Sequence, residues 1–156
     1  MKKLLILLFS ILLVSCVDPE NLDFSSGIFC EVSPEVELKN GLFFLPNEQQ
    51  PYSGDNICIY KGNNQYATQG LIKKGLRDGK QTWWYESGQT WVILHYKDGK
   101  ENGMATAWHE NGQKMSEINY INGDEDGNGV EWNEDGTIVS EAIYKDGECI
   151  SGDCPE

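Results

Sequence analysis

The chain has 156 residues, of which 25 are acidic and 12 are basic, and its formal net charge at pH 7 is −13. A surface this acidic repels phosphate backbones and anionic lipid headgroups, which disfavours nucleic-acid binding and direct headgroup binding. It favours cations or a basic partner, although acidity that serves only solubility is an open alternative.

The first fifteen residues have the pattern of an export signal. Lys2 and Lys3 precede an apolar run from Leu4 to Val14, which is too short to cross a bilayer as a permanent helix. Positions 13–16 read Leu-Val-Ser-Cys, which resembles the lipobox of bacterial lipoproteins at every position. The resemblance implies a diacylglyceryl thioether on Cys16 and cleavage just before it. An ordinary signal peptide, in which Cys16 merely follows the cleavage site, is the alternative.

The expected mature chain is long enough for one domain. Cleavage before Cys16 removes 15 of the 156 residues and leaves 141, enough for a modest hydrophobic core. Loss of Lys2 and Lys3 leaves 10 basic residues against 25 acidic ones, so the mature net charge is about −15. We expect a signal peptide (1–15), a lipidated tether (16–26), a lead-in that packs on a sheet (27–48) and a repeat region (49–156).

Internal repetition is the strongest pattern in the mature chain. Blocks of 24 residues at 73–96, 97–120 and 121–144 align without a gap. Each block has two glycines near its start, then a tryptophan, a third glycine and a closing tyrosine. In block order these are Gly75, Gly79, Trp84, Gly88 and Tyr96, then Gly99, Gly103, Trp108, Gly112 and Tyr120, then Gly123, Gly127, Trp132, Gly136 and Tyr144. A degraded copy precedes them from Gln49, and a truncated copy follows from Lys145.

Turn signals and strand-forming residues alternate within each block. Asn111-Gly112 and Asp135-Gly136 are strong turn dipeptides, because glycine reaches positive φ without a steric penalty. The paired early glycines bracket a second turn. Short runs of Thr, Val, Ile, Trp and Tyr, which favour strands, lie between the turns. The pattern predicts an all-β fold, an antiparallel meander of repeated β-hairpins in which each unit packs on its neighbours.

Strand alternation predicts which side chains form the core. If the paired glycines of a block lie opposite each other, Tyr96 pairs with Thr106 and Leu94 pairs with Trp108, all on one face. We expect the repeated Trp and Tyr residues to form ladders there, because periodic aromatic residues are usually packed. The opposite face should be apolar early in the repeats and acidic later. Its members are Ile57, Ile59, Trp83, Tyr85, Trp91, Ile93, Glu117, Asn119, Glu131, Asn133 and Glu141.

A hydrophobic stretch before the repeats, from Phe24 to Pro46, also needs a place to pack. The simplest arrangement lets it cover Trp83, Tyr85 and Trp91 on the opposite face. If those residues were instead open, they would mark an interaction site. Once they are covered, the acidic part of that face stays exposed, and we expect it to bind a basic partner. The residues expected at this partner-binding surface are Glu117, Glu131 and Glu141.

The repeat columns resemble those of a known family. The blocks follow the pattern Tyr-x-x-Gly-x-x-x-Gly, then Trp, then Glu/Asn-x-Gly-Gln or a close relative, then Glu-x-x-Tyr. Together with a lead-in at 42–46 and 51–54, this resembles the bacterial variant of the MORN repeat found in YwqK-type antitoxin proteins. The resemblance covers roughly Glu35 to Gly152. It implies a binding or scaffolding module and, in the antitoxin proteins, neutralisation of a toxin by direct binding.

Four cysteines follow Cys16, and an even number in an exported chain suggests two disulfides with three possible connectivities. We expect the pairs Cys30–Cys58 and Cys149–Cys154, the second across a short turn that a hairpin can bridge. No CxxC motif or histidine cluster accompanies them, which disfavours zinc.

One acidic segment has the spacing of a calcium loop. Asp124, Asp126 and Asn128 occupy positions one, three and five, Gly129 occupies position six and Asp135 occupies position twelve, as in an EF-hand. Oxygen ligands of this kind suit Ca²⁺. The alternative is that the segment is part of a repeat, with strands rather than helices on both sides.

The sequence contains no recognisable catalytic constellation. His95 and His109 lack an acidic partner or a nucleophile at a suggestive spacing, and no GxSxG, HExxH or phosphate-binding glycine loop is present. We therefore expect a non-enzymatic envelope lipoprotein that uses its repeats to bind a protein, in the manner of an antitoxin or immunity protein. A structural lipoprotein that binds cell-wall glycan or organises an envelope complex is the alternative.

The lipid anchor should depend on Cys16 alone. We expect Cys16→Ser to leave an unprocessed precursor without an acyl chain, because the thioether has no other attachment point. Metabolic labelling with palmitate, followed by gel analysis, measures both effects. Label on the Cys16→Ser protein would show that this is not a lipoprotein anchored at that residue.

Overall fold

Strands joined by short turns make up this protein, whose computed structural model describes residues 28–29, 36–60 and 63–154. The predicted signal peptide and lipidated tether, together with Cys16 and Cys30, lie outside these residues. Within them the chain is all-β and antiparallel, so the predicted meander of hairpins is confirmed. No helix in the described part of the chain is long and apolar enough to cross a membrane.

The described residues form fourteen strands. In chain order they are β1 (Ile28–Phe29), β2 (Glu37–Lys39), β3 (Leu42–Phe44), β4 (Gly54–Tyr60), β5 (Tyr66–Lys73), β6 (Leu76–Trp84), β7 (Thr90–Lys97), β8 (Lys100–Glu101), β9 (Gly103–Trp108), β10 (Lys114–Ile121), β11 (Asp124–Glu125), β12 (Gly127–Trp132), β13 (Ile138–Lys145) and β14 (Glu148–Gly152). Apart from the β2–β3 hairpin they share one sheet, in the order β1-β4-β5-β6-β7-β9-β10-β12-β13-β14. The short strands β8 and β11 pair with β7 and β10.

A tight two-residue turn joins the repeats. In the turn between β7 and β8, Asp98 and Gly99 have φ values of 50° and 83°, and Lys97 pairs with Lys100 on either side. Positive φ at both central residues is the geometry of a type I′ turn, whose twist matches that of the flanking strands. The same conformation recurs at Lys74-Gly75, Asn122-Gly123 and Asp146-Gly147. The predicted turn, in which Gly99 lies opposite Gly103, is therefore wrong.

This turn moves the strand register by an odd number of residues. Ile93 pairs with Thr106 and Val92 pairs with Ala107, three places from the predicted pairing of Tyr96 with Thr106. Because side chains alternate along a strand, an odd shift exchanges the faces of β9 relative to β7. We call the side that carries Val92 and Tyr96 the tyrosine face, and the side that carries Ile93 and Thr106 the reverse face.

The buried core of the repeats lies on the tyrosine face. Its members are Trp83, Val92, Leu94, Ala105, Ala107 and Ile118. Tyr96, Tyr120 and Tyr144 pack against them, as the predicted tyrosine ladder requires. The predicted tryptophan ladder is wrong, because the repeated tryptophans are only half-buried and lie outside this cluster. Trp83, which the sequence places on the other face, is only 2% exposed.

A β-bulge in each of the first two repeats determines which side chain after the hairpin turn packs on the core. The pairing shifts by one residue between Trp83 and Trp84, which leaves Trp91 as the extra residue of β7. The same shift one repeat later leaves Met115 as the extra residue of β10. Bulges bend a strand and redirect its side chains. Trp91 and Met115 pack against the core in place of the repeat tryptophans.

The lead-in contacts the sheet at two places. Strand β1 pairs with β4 at the edge of the sheet. The β2–β3 hairpin lies against the first tight turn, where the Phe43 N–H donates to the Gly75 carbonyl at 2.9 Å. Phe43 is buried, and the Arg77 guanidinium lies 5.8 Å from the centre of its ring. Because Trp83 lies on the tyrosine face, the predicted arrangement in which the lead-in covers it on the opposite face is wrong.

One disulfide lies wholly within the described residues. Cys149 and Cys154, whose Cα atoms are 5.6 Å apart, are bonded as the sequence predicts and tie β14 to the residues that follow it. Cys58 is buried and is also disulfide-bonded, whereas its expected partner, Cys30, lies outside the described residues.

The core assignment predicts unequal effects for two tryptophans. We expect Trp83→Ala to lower the free energy of unfolding by about 3–5 kcal/mol, because it leaves a cavity in the buried core. Trp108→Ala, the same change at a half-buried position, should cost clearly less. Urea denaturation followed by circular dichroism measures both values. Equal losses would show that the repeated tryptophan column is part of the core after all.

Candidate functional site

A groove of about 520 Å³ runs along the tyrosine face of the repeats. Its aromatic wall consists of Tyr96, Tyr120 and Tyr144. Glycines lie beside these tyrosines on the neighbouring strands: Gly79 pairs with Tyr96, Gly103 with Tyr120 and Gly127 with Tyr144. These three glycines have positive φ, at 76°, 115° and 105°, a backbone conformation that residues with a side chain rarely adopt.

Gly129 shows how tight the floor of the groove is. A Cβ atom at this position would lie 3.0 Å from Cε2 of Tyr144 and 3.2 Å from Cδ1 of Ile118. Contacts at these distances are closer than ordinary van der Waals packing, so the neighbouring side chains would have to move. The glycine therefore lets the Tyr144 ring lie flat against the sheet and keeps the floor open.

Carboxylates accompany two of the tyrosines. Tyr96 pairs with Glu101 across the tight turn, and its hydroxyl lies 3.4 Å from the Glu101 Oε1 atom. Tyr120 pairs with Glu125 in the same way, at 3.3 Å. Glu131 adds a third carboxylate on the same face, opposite Ser116. The groove therefore combines aromatic rings with acidic groups at a 24-residue spacing.

The backbone of each repeat positions these acidic residues. The Gly123 N–H donates to the Glu101 carbonyl at 2.8 Å, and the Gly147 N–H donates to the Glu125 carbonyl at 3.0 Å. One repeat earlier, the Gly99 N–H donates to the Arg77 carbonyl at 2.9 Å. Each tight turn therefore holds the groove residue of the preceding repeat. Arg77, Glu101, Glu125 and Cys149 form one column of the repeat.

Burial raises the pKa of each of the three groove carboxyls. For Glu101 the nearby Glu125 adds to the increase, whereas the Tyr96 hydroxyl and Arg77 oppose it. Burial is also the first cause for Glu125 and for Glu131. Charged carboxylates therefore have an unfavourable environment in the groove, which neutralisation or a nearby cation would improve.

Burial and the nearby carboxylates also raise the pKa of the three tyrosines. Burial raises the pKa of Tyr96 to about 12. Burial also raises the pKa of Tyr120, and Glu125 and Glu101 add to the increase. For Tyr144 the added charges are Glu125 and Glu131. Their phenols therefore stay protonated and act as hydrogen-bond donors at neutral pH.

Ser116 adds a polar group without a partner. Its side chain is 8% exposed and lines the groove, and its Oγ atom has no hydrogen-bond partner among the described residues. A buried hydroxyl without a partner typically costs about 1–3 kcal/mol relative to a satisfied one. Ser116 is paired across the strands with Glu131 of β12, so the hydroxyl that lacks a hydrogen bond lies near Glu131.

The predicted acidic surface is divided between two faces. Val130 pairs with both Glu117 and Glu141, so these two acids share the reverse face. Glu117 is also paired there with Lys114 at 2.5 Å. Glu131 lies on the tyrosine face, beside Ser116. The prediction that the three form one surface is therefore wrong, because it depends on the incorrect register.

The calcium-like spacing does not form a loop. Asp126 binds the Lys145 ammonium at 2.6 Å, at one end of β12. Asn128 lies within that strand, and Asp135 lies in the turn beyond its other end, where its Oδ1 accepts from the Thr137 N–H. Six strand residues, at about 3.3 Å each, separate the two ends by roughly 20 Å. No metal-binding group of three His, Cys, Asp or Glu residues is found in the part of the chain that the structure describes.

One ring nitrogen of each histidine lies within hydrogen-bonding distance of a backbone carbonyl oxygen. The Nδ1 atom of His95 lies 2.8 Å from the Met104 carbonyl, and the Nε2 atom of His109 lies 2.9 Å from the Trp132 carbonyl. The second contact links two repeats and matches the bond that the Tyr85 hydroxyl donates to the Trp108 carbonyl. Both imidazoles therefore have a structural role in the stacking of the hairpins.

Comparison with known families identifies the repeat. Three segments, 77–98, 101–122 and 125–146, match the family model of the MORN repeat variant. The chain therefore contains three MORN-type repeats, and each matched segment contains one β-hairpin, β6–β7, β9–β10 or β12–β13. Repeats of this type indicate a binding module for proteins or membranes. A search of curated proteins finds no match.

The raised carboxyl pKa values predict a pH dependence of stability. A carboxyl whose pKa is higher in the folded protein stabilises the fold below its unfolded pKa, and this contribution is lost as pH rises through the folded value. Stability should therefore fall as pH rises above the ordinary value of 4.5. Glu125→Gln with Glu131→Gln, the groove double variant, should flatten that part of the curve. Melting temperatures measured from pH 4 to pH 8 provide the test.

A matched variant on the other side of the sheet controls for net charge. Glu141→Gln with Glu148→Gln, the reverse-face double variant, removes the same number of charges from residues outside the groove lining. If it flattens the curve as much as the groove double variant does, the pH dependence arises from overall charge and not from the groove.

Proposed function

We propose that this protein is a non-enzymatic envelope lipoprotein, anchored through lipid on Cys16, whose repeat sheet binds another protein. The groove on the tyrosine face is the observation that carries the proposal. It is large enough for protein side chains, because binding clefts are typically about 300–1,000 Å³. Tyrosines are also well suited to protein contacts, since they bring a large apolar area and a polar tip with little conformational freedom.

Charge supports a basic partner. The acidic residues that line the groove include Glu101, Glu125 and Glu131, and Arg77 is the basic residue among its described lining. The whole chain also has more acidic than basic residues. The negative potential of the groove and the chain would attract a positively charged surface and speed its association. An immunity-type role, in which a lipoprotein captures an incoming basic toxin at the envelope, fits both the anchor and the charge.

A cell-wall scaffold is the second candidate. Partly buried aromatic rings beside carboxylates also suit a sugar ring, and the row of Tyr96, Tyr120 and Tyr144 provides several such rings along one line. The protein-binding proposal is preferred because neutral glycan gives no role to the excess of carboxylates in the groove.

Affinity capture from membranes tests the proposal. The full lipidated protein is the bait, and the captured partner is identified by mass spectrometry and then purified for direct binding measurements. The groove double variant should bind that partner at least about tenfold more weakly, since a lost charged hydrogen bond costs about 1.5–3 kcal/mol. The salt dependence of binding should decrease as well.

The reverse-face double variant removes the same number of charges and should bind normally. If this variant loses the partner and the groove double variant keeps it, the binding surface is the reverse face. Capture of cell-wall fragments in place of a protein, with the same loss in the groove double variant, would favour the scaffold.

A further inference from the structure

The first repeat contains its own cation at the groove. The Arg77 guanidinium lies 5.5 Å from the centre of the Tyr96 ring and 5.8 Å from that of Phe43. A cation at this distance over an aromatic ring is attracted by the negative face of the ring. Arg77 also lowers the pKa of the neighbouring Glu101, partly opposing the effect of burial. Ring, carboxylate and cation therefore lie together in this repeat.

One repeat later the same unit lacks its cation. Tyr120 stands where Tyr96 stood, and Glu125 takes the place of Glu101. The position equivalent to Arg77, 24 residues on, is Glu101. Tyr120 therefore lies between two carboxylates, both of which raise the pKa of its phenol. Glu125 likewise raises the pKa of Glu101, so the two acids repel each other across the ring.

The groove around this second unit has space and an unused polar group. About 520 Å³ is open along the tyrosines. The buried Ser116 Oγ lines the same groove and has no partner among the described residues. Ser116 and Tyr120 are four residues apart on β10, roughly 13 Å along the strand. A basic peptide segment lying along the groove would therefore place one N–H donor at this hydroxyl and other donors at the two carboxylates.

We infer that the groove takes an arginine side chain of the partner protein, seated over Tyr120 between Glu101 and Glu125. This inference rests on the proposed function and names the chemistry that the groove recognises. Arginine fits better than lysine because its guanidinium is planar, stacks on aromatic rings and offers five donors in a fixed fork. The internal Arg77–Tyr96–Glu101 unit shows the same arrangement one repeat earlier.

A peptide probe tests the chemistry directly. The probe is acetyl-Gly-Arg-Gly-amide, and its matched control carries citrulline, which has nearly the same shape but no charge. Binding to the full lipidated chain in detergent is followed by NMR of carbon-13-labelled tyrosine rings, with the Tyr120 signal assigned through Tyr120→Phe. We expect saturable shifts at Tyr120 with the arginine probe, and binding at least about tenfold weaker with citrulline.

Two variants locate the site. Glu101→Arg places in the second repeat the residue that the first repeat already has, so it should fill the groove from within, abolish probe binding and raise the melting temperature. Glu125→Gln preserves the shape of the groove and should weaken probe binding at least about tenfold. Glu141→Gln, on the reverse face, should leave binding unchanged.

The possible outcomes separate this inference from the proposed function. Equal binding of the citrulline probe, or unchanged binding in both Glu101→Arg and Glu125→Gln, would overturn the arginine assignment. Spermidine binding as tightly as the arginine probe would also overturn it, because the site would then recognise any polyamine. If the groove double variant loses the captured partner while the arginine probe does not bind wild-type protein, the proposed protein-binding function is supported and this inference fails.

Discussion

The type I′ turn between repeats is the constraint on which the rest of the structure depends. Asp98 and Gly99, two successive residues with positive φ, are the whole connection between the paired strands. The turn therefore fixes the register, and the register decides which side chains face the core. The same turn donates the hydrogen bond that holds the groove residue of the preceding repeat, so the turn also determines the geometry of the candidate site.

The second constraint is the alternation of glycine and tyrosine across the strands. Each tyrosine of the ladder has a glycine beside it, such as Gly103 beside Tyr120. A larger residue at these positions would strain the backbone, because their φ is positive. The glycines of the sheet therefore have two roles, because these allow positive φ, whereas Gly129 leaves space for the Tyr144 ring. These two roles explain why the sheet contains many glycines although its backbone is held in regular strands and turns.

The sequence was sufficient to predict the fold class, the repeat length and the Cys149–Cys154 disulfide. These depend on local signals, namely glycine turns, strand-forming runs and short spacing. The register was predicted incorrectly because the turn was assigned to the residues between Gly99 and Gly103, whereas the Asp98-Gly99 dipeptide, itself a type I′ signal, forms the turn. The bulge at Trp91 is invisible in the alternation pattern. The groove was missed although its signal, the column of Arg77, Glu101 and Glu125, is present at the repeat spacing.

That column has a consequence for how such a protein is retuned. Arg77, Glu101 and Glu125 line the groove, while their backbone carbonyls accept hydrogen bonds from glycines of the next turn. The residue changes from arginine to glutamate along the chain, yet the hairpins that carry it keep the same shape. The residue at this position therefore changes the chemistry of the groove without changing the hairpin that carries it. A single substitution there can reverse the charge of the groove in one repeat and leave the other repeats unchanged.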